Sequence, residues 1–353
     1  MQEAENPALA SLQVKTLEPT DYDRWNAFVD NCPEATFFHL AEWKDVIERA
    51  FGHRTYFLYA EAESDIRGIL PLVQVNSRLF GNALISTPFC VYGGAVAKTE
   101  TTRQTLEQAA CKLAEQLQVD YLEMRNLSPR QASWPTKDLY VTFRKAIDPE
   151  PDKNLLNIPR KQRAMVRKGI KAGLTSEIDP DIDRFYAIYS ESVRNLGTPV
   201  FSRHYIRLLG DVFGDRCEVL TITKDRQALA SVLSFYFRDQ VLPYYGGSIT
   251  NGHALRGAND FMYWELMRRA CERGYRTFDF GRSKRGTGCH DFKTNWGFEP
   301  EPLHYEYYLV KAHRVPEAKN PLNPKYQRYI RLWRHLPLGS TRVLGPLLAR
   351  NLG

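Results

Sequence analysis

A chain of 353 residues with 43% apolar and 25% charged side chains has a globular composition and room for two domains of about 150 residues; disorder, collagen-like repeats and coiled coils are excluded. The formal charge of +7 is unevenly spread, with nine Lys/Arg against Glu317 alone over residues 311–353 and seven basic residues without an acid over 153–171. Two local surfaces, rather than the whole molecule, are therefore expected to recruit anions.

No stretch approaches the roughly 20 apolar residues of a membrane span. Residues 1–10 carry Glu3 and Glu5 where a secretory leader would carry positive charge, so a cytoplasmic protein is expected. The six cysteines, Cys32, Cys90, Cys111, Cys217, Cys271 and Cys289, contain no Cys-x-x-Cys pair, which predicts free thiols and no metal site.

In chain order, 12–17 reads as a strand and 22–30 and 41–50 as helices. Three extended runs, 56–60, 66–76 and 84–97, are separated by turn formers such as Glu63-Ser64-Asp65 and Gly81-Asn82, as in an antiparallel meander. A helix over 102–117, a strand over 119–124 and a strand over 139–147 complete an α+β unit.

The order then recurs: helices over 159–173, 182–196 and 202–213, extended runs over 217–223, 229–237 and 241–249, a helix over 258–273, and strands over 277–280 and 303–310. Tyr92-Gly93-Gly94 and Tyr245-Gly246-Gly247 fall in the third run of each half, which suggests a duplication with domains at 12–147 and 148–312. Glycine inside a strand marks a bulge or a close backbone approach, here with a substrate amide as one candidate.

Residues 313–353 read as a basic, Pro-containing helical tail, an appendage to the two domains. Its predicted helix, 326–336, sets Tyr329, Ile330 and Trp333 beside Arg328, Arg331 and Arg334. That pattern suits an anionic lipid or RNA, or a clamp on the protein body.

Nucleophile-elbow, Walker A, His-Glu-x-x-His and dinucleotide-binding signatures are missing. The order meander, loop, helix, strand, strand is that of the GNAT acyltransferase core, so the expected fold is tandem GNAT-like domains, each a mixed, mainly antiparallel sheet flanked by helices. Three segments carry a closer likeness: Phe278-Asp279-Phe280-Gly281-Arg282-Ser283-Lys284, Gly286-Thr287-Gly288, and Phe292-Lys293-Thr294-Asn295-Trp296-Gly297-Phe298. Together with the Tyr-Tyr-Gly-Gly run, Gly257-Ala258-Asn259 and the basic helix, this block resembles FemAB-like proteins, in particular those associated with exosortase (PEP-CTERM) systems.

The resemblance implies acyl or aminoacyl transfer onto an amine of a cell-envelope or surface-polysaccharide precursor, with acyl-CoA or aminoacyl-tRNA as donor and no permanently bound cofactor. The long helical arm of tRNA-dependent members is not evident, and residues 252–258 do not reproduce the CoA-binding loop of GNAT enzymes, so both donors stay open. A non-catalytic RNA- or membrane-associated scaffold is the alternative.

Direct transfer requires a neutral amine, donors for the oxyanion and a path for the proton. Asp279, Lys293 and Tyr245 are the catalytic candidates. Arg160, Arg163 and Arg167 align with Lys171 on one helix face and suit phosphates. Tyr205, Tyr244, Gly246, Gly247, Asn259, Arg282, Ser283 and Trp296 are expected to line the substrate site, and the resemblance adds Lys44 toward an acceptor phosphate. His290 and Asp291, being adjacent, are discounted as a dyad. The expected partners are an anionic or lipid-linked acceptor, tRNA, and a membrane surface met by the tail.

Overall fold

The computed structural model describes residues 12–77, 80–249, 257–315 and 324–352. The leader argument on residues 1–10 and the loop at 252–256 lie outside the described residues.

The elements in chain order are β1 (Gln13–Thr16), α1 (Tyr22–Asn31), α2 (Trp43–Phe51), β2 (Arg54–Ala62), β3 (Asp65–Ser77), β4 (Gly81–Ser86), β5 (Val96–Ala97), α3 (Glu100–Gln116), β6 (Tyr121–Asn126) and β7 (Tyr140–Ala146). There follow α4 (Pro151–Asn157), α5 (Arg160–Lys171), β8 (Thr175–Ile178), α6 (Ile182–Leu196), α7 (Arg203–Phe213), β9 (Cys217–Lys224), β10 (Gln227–Phe237), β11 (Gln240–Ser248) and α8 (Ala258–Glu272). The chain ends with β12 (Thr277–Asp279), β13 (Ser283–Lys284), α9 (Gly288–Asn295), β14 (Pro300–Pro302), β15 (His304–Leu309), α10 (Pro324–His335) and α11 (Leu338–Ala349).

Two mixed sheets carry these strands, one in the order β1-β2-β3-β4-β6-β15 and the other β13-β7-β12-β11-β10-β9-β8. The expected α+β architecture is thus the observed one, but each unit takes a strand from the far side of the expected boundary at 147/148. Strand β7 pairs with β12, β13 and β14, and β15 completes the sheet that ends at β6. The compact units are accordingly residues up to 48 with 52–136 and 305–315, and residues 49–51 with 137–304 and 316–353. The tail belongs to the second unit.

Local chemistry explains the elements. In the hairpins β2–β3 and β9–β10, the turn pairs Glu63-Ser64 and Asp225-Arg226 all take positive φ, the twist that suits a tight two-residue connection. The hydroxyl of Ser202 accepts from Tyr205 N at the start of α7, and Gly197, at φ +79°, ends α6. Strand β10 is buried on both faces: Val232 joins the cluster that includes Val166 of α5 and Phe261 of α8, and Phe235 meets Phe213 of α7 edge-on. The third extended run, expected at 84–97, is shorter than predicted. It stops at Ser86, and Tyr92-Gly93-Gly94 lies in a loop whose Gly93 and Gly94 amides both donate to Arg125 O. No helix among the described residues is long and apolar enough to cross a membrane.

Strand β15 is tied into the first unit by a buried carboxylate. Glu306, 1% exposed, accepts from Asn126 Nδ2 (2.8 Å), Arg130 N (2.7 Å) and Gln131 N (3.2 Å). Glu306→Ala is expected to cost about 3 kcal/mol in denaturant unfolding, because three donors lose a charged acceptor; Glu306→Gln, which keeps one acceptor oxygen, is expected to cost less.

Candidate active site

The site begins with a strand that loses one neighbour. Strand β12 pairs with β11 in parallel only at Gln240↔Thr277 and Val241↔Phe278, whereas β10 follows β11 to Ser248. Beyond Val241, β11 is therefore paired on one side alone among the described residues. Ile249 N donates to Leu229 O on the β10 side. By strand alternation, the N–H and C=O groups of Gly246 and Ser248 face the opened side.

A turn held by one lysine makes the opening. After Asp279 the chain leaves β11 for β7: Phe280 N donates to Phe143 O (2.9 Å), the Asp279 carboxylate accepts from Gly281 N (2.7 Å), and Gly281 sits at φ +65°. The Lys293 ammonium donates to Phe280 O, Gly281 O and Arg282 O at 2.7, 3.0 and 3.1 Å. Burial pushes its pKa down to about 8, against the pull of Cys289 and Asp279, while Arg282 adds to the lowering. Behind it, Trp296 Nε1 donates to Asp260 (3.0 Å), joining the end of α9 to the start of α8.

The opening leads into a cavity of about 1010 Å³ within the second unit. Its wall includes Gly246, Gly247 and Ser248 of β11, Asn259 and Tyr263 of α8, Ser283, the Gly286-Thr287-Gly288 turn, Cys289, and Gln327 and Ile330 of α10. Among the described residues, five cations line it, Arg282, Lys284, Lys293, Arg331 and Arg334, and no carboxylate does. Such a wall sets up a positive field in a confined space, suited to phosphate. Ser283 Oγ is buried without a hydrogen-bond partner. Burial also raises the pKa of Tyr263, so its hydroxyl keeps its proton at neutral pH.

Of the residues expected from sequence, Gly246, Gly247, Asn259, Arg282, Ser283 and Lys293 meet on this wall. The others lie elsewhere, each for a physical reason. Asp279 is 1% exposed and caps the turn from beneath. Trp296 and Tyr205 are core, at 1% and 0% exposure. The register shift between Leu233 and Ser234 leaves Tyr244 as an extra residue in β11, and the bulge brings its ring to 4.7 Å from that of Tyr245. Tyr245 joins the Phe201 and Tyr205 rings, and its hydroxyl lies 3.0 Å from that of Tyr205.

Arg160, Arg163 and Arg167 line a separate open groove of about 340 Å³ with Lys168 and Lys171, and Arg163 donates to Leu156 O (2.6 Å). Lys44 is in the first unit, paired with Glu48 at 2.7 Å. Sequence reading missed Tyr263, Ser248 and the cavity role of Arg331 and Arg334. Tyr263 was within reach, one helical turn after Asn259 on α8.

Comparison with known proteins places this geometry. Residues 160–294 match the acetyltransferase (GNAT) domain. The second unit therefore carries an acyltransferase domain, built around the divided strand. The fold as a whole is similar to that of FemX (TM-score 0.66, 14% identity, 90% of this chain and 100% of the other). It is also similar to L-PGS from Bacillus licheniformis (0.55, 13%, 91% and 99%) and to a tandem GNAT protein from the clavulanic acid biosynthesis pathway (0.52, 12%, 87% and 100%). No curated protein matches the sequence.

Two outcomes test this geometry. Following the Lys293 Cε resonance by NMR should give a midpoint near 8. An unfolded lysine holds its proton to about 10.5, so between those values the unfolded chain binds more protons, and the cost of burying Lys293 should fall as pH rises. The two glycines should also behave differently. A Cβ on Gly247 would lie 2.5 Å from Ser192 Cβ, so Gly247→Ala should lower stability by about 1–3 kcal/mol. A Cβ on Gly246 meets nothing closer than 3.4 Å, so Gly246→Ala should melt normally and raise the KM for the donor.

Proposed function

We propose that the second unit transfers an acyl group directly from an activated, phosphate-bearing donor to an amine on a cell-envelope or surface-polysaccharide precursor, at the cytoplasmic face of the cell. The observation that carries this reading is the juxtaposition of strand amides unpaired among the described residues with a cavity whose described charged lining is all cationic. Acyl-CoA is the donor that the acetyltransferase domain match favours; aminoacyl-tRNA is the second, favoured by the basic groove of α5, which offers a phosphate backbone five cations outside the cavity. The resemblance to FemAB-related proteins of exosortase systems points the acceptor toward surface polysaccharide.

In the mechanism, the donor carbonyl enters the opening, and the Gly246 and Ser248 amides hold it and then its oxyanion. The acceptor nitrogen attacks, forming the C–N bond; the intermediate collapses, breaking the C–S bond of a thioester or the C–O bond of an aminoacyl ester. Tyr263 protonates the leaving sulfur or oxygen, and the surplus proton of the amine returns to Tyr263 through water. Lys293 holds the turn that keeps β12 away from β11. With all three N–H groups committed to carbonyls, it acts as a positioning residue.

The deciding experiment presents acyl-CoAs and aminoacyl-tRNAs with amine acceptors and detects the amide by mass spectrometry. Turnover with one donor class is expected, and Tyr263→Phe should lower kcat by about 10²-fold with little change in KM. Salt-sensitive RNA binding without turnover of any donor would replace this reading with the scaffold.

A further inference from the structure

Helices α10 and α11 have inverted polarity. The buried residues of α11 are Thr341, Gly345 and Ala349, spaced four apart, and a Cβ on Gly345 would come within 2.9 Å of Val200. Its larger side chains point the other way: Val343, Leu344 and Leu347 are 68%, 44% and 59% exposed. Arg342, between the two faces, donates to Ser190 Oγ of α6 (2.9 Å).

Helix α10 behaves alike. Ile330 packs so close to Gly197 that a Cβ there would lie 2.4 Å from its Cγ2, whereas Tyr329 and Leu332 are 69% and 65% exposed. Half of the ten exposed large apolar side chains among the described residues thus fall on these two helices. A soluble surface helix buries such residues and exposes the small and polar ones.

The charge on this segment identifies what it meets. Residues 324–352 contain six Lys/Arg (Lys325, Arg328, Arg331, Arg334, Arg342 and Arg350) and no Asp or Glu. Two copies of so cationic a surface repel each other, which disfavours self-association through this face. Exposed apolar side chains on a segment that carries cations, Arg328 exposed among them, and no acid of its own match the boundary of a bilayer carrying anionic headgroups.

We propose that α10 and α11 dock the protein onto an anionic lipid surface, with Tyr329, Leu332, Val343, Leu344 and Leu347 entering the headgroup boundary. The opposite side of α10 contributes Gln327, Ile330, Arg331 and Arg334 to the cavity, so docking sets the cavity wall against the lipid. A lipid-linked acceptor would then be presented from the membrane. The docking itself stands whether or not the cavity performs acyl transfer.

Flotation of the full chain with vesicles tests it. Retention is expected on phosphatidylcholine vesicles containing about 30% phosphatidylglycerol, but not on phosphatidylcholine alone, and it should fade between about 0.05 and 0.5 M salt. Leu344→Asp with Leu347→Asp should weaken retention by about tenfold, and Arg328→Glu by a smaller factor, with unchanged melting temperatures because all three side chains are exposed. Equal retention of parent and variants, or no retention on either vesicle, overturns the proposal. Sedimentation velocity supplies the last arm: a dimer abolished by the same leucine substitutions would assign the surface to a second copy.

Discussion

One half-buried ammonium organises the candidate site. Removing a lysine charge from water is costly unless dipoles replace the solvent, and the three successive carbonyls that face Lys293 do so. In return, the lysine fixes a turn that backbone pairing alone would not specify. Without that turn, β12 would be free to continue along β11 and close the ladder. The separation of the two neighbouring strands thus rests on an electrostatic contact in the cavity wall.

The two units share a meander but differ at this point. In the first, β4 pairs with β6 over Ala83, Leu84 and Ile85, and the loop that follows is closed by hydrogen bonds. The Arg125 guanidinium, 2% exposed, bonds the Glu123 carboxylate and Cys90 O. A Cβ on Gly94 would fall 1.9 Å from Asn126 Oδ1, so no side chain fits at that position. The glycine pairs that look alike in sequence therefore do opposite things: Gly93-Gly94 lets a loop pack tightly, while Gly246-Gly247 keeps a strand exposed on one side and close to α6 on the other.

Most of the secondary structure was legible in the sequence because periodicity, caps and turn formers act locally. Tyr245-Gly246-Gly247 and the Phe278–Lys284 block pointed to the divided strand and its turn for the same reason, the glycines marking an irregular strand. The partner sheet of β7 and β15 was not legible, since alternating side chains report that a strand has two faces and say nothing of which sheet receives it. Lys293 was found as a residue but not as a positioning device, because the carbonyls that hold it belong to a turn. The tyrosines misled for another reason: Tyr244 and Tyr245 were both expected at the substrate site, and the bulge packs their rings against each other instead. Arg331 and Arg334 lie in a segment whose local pattern suited lipid, RNA or a clamp on the protein body.

The exchange of β7 and β15 bears on how the molecule is made. When β6 leaves the ribosome, the sheet it belongs to still lacks its last strand, which is encoded after nearly all of the second unit. Until then β6 presents an open edge, a template for wrong pairing. The first unit, synthesised first, must therefore be among the last to finish folding.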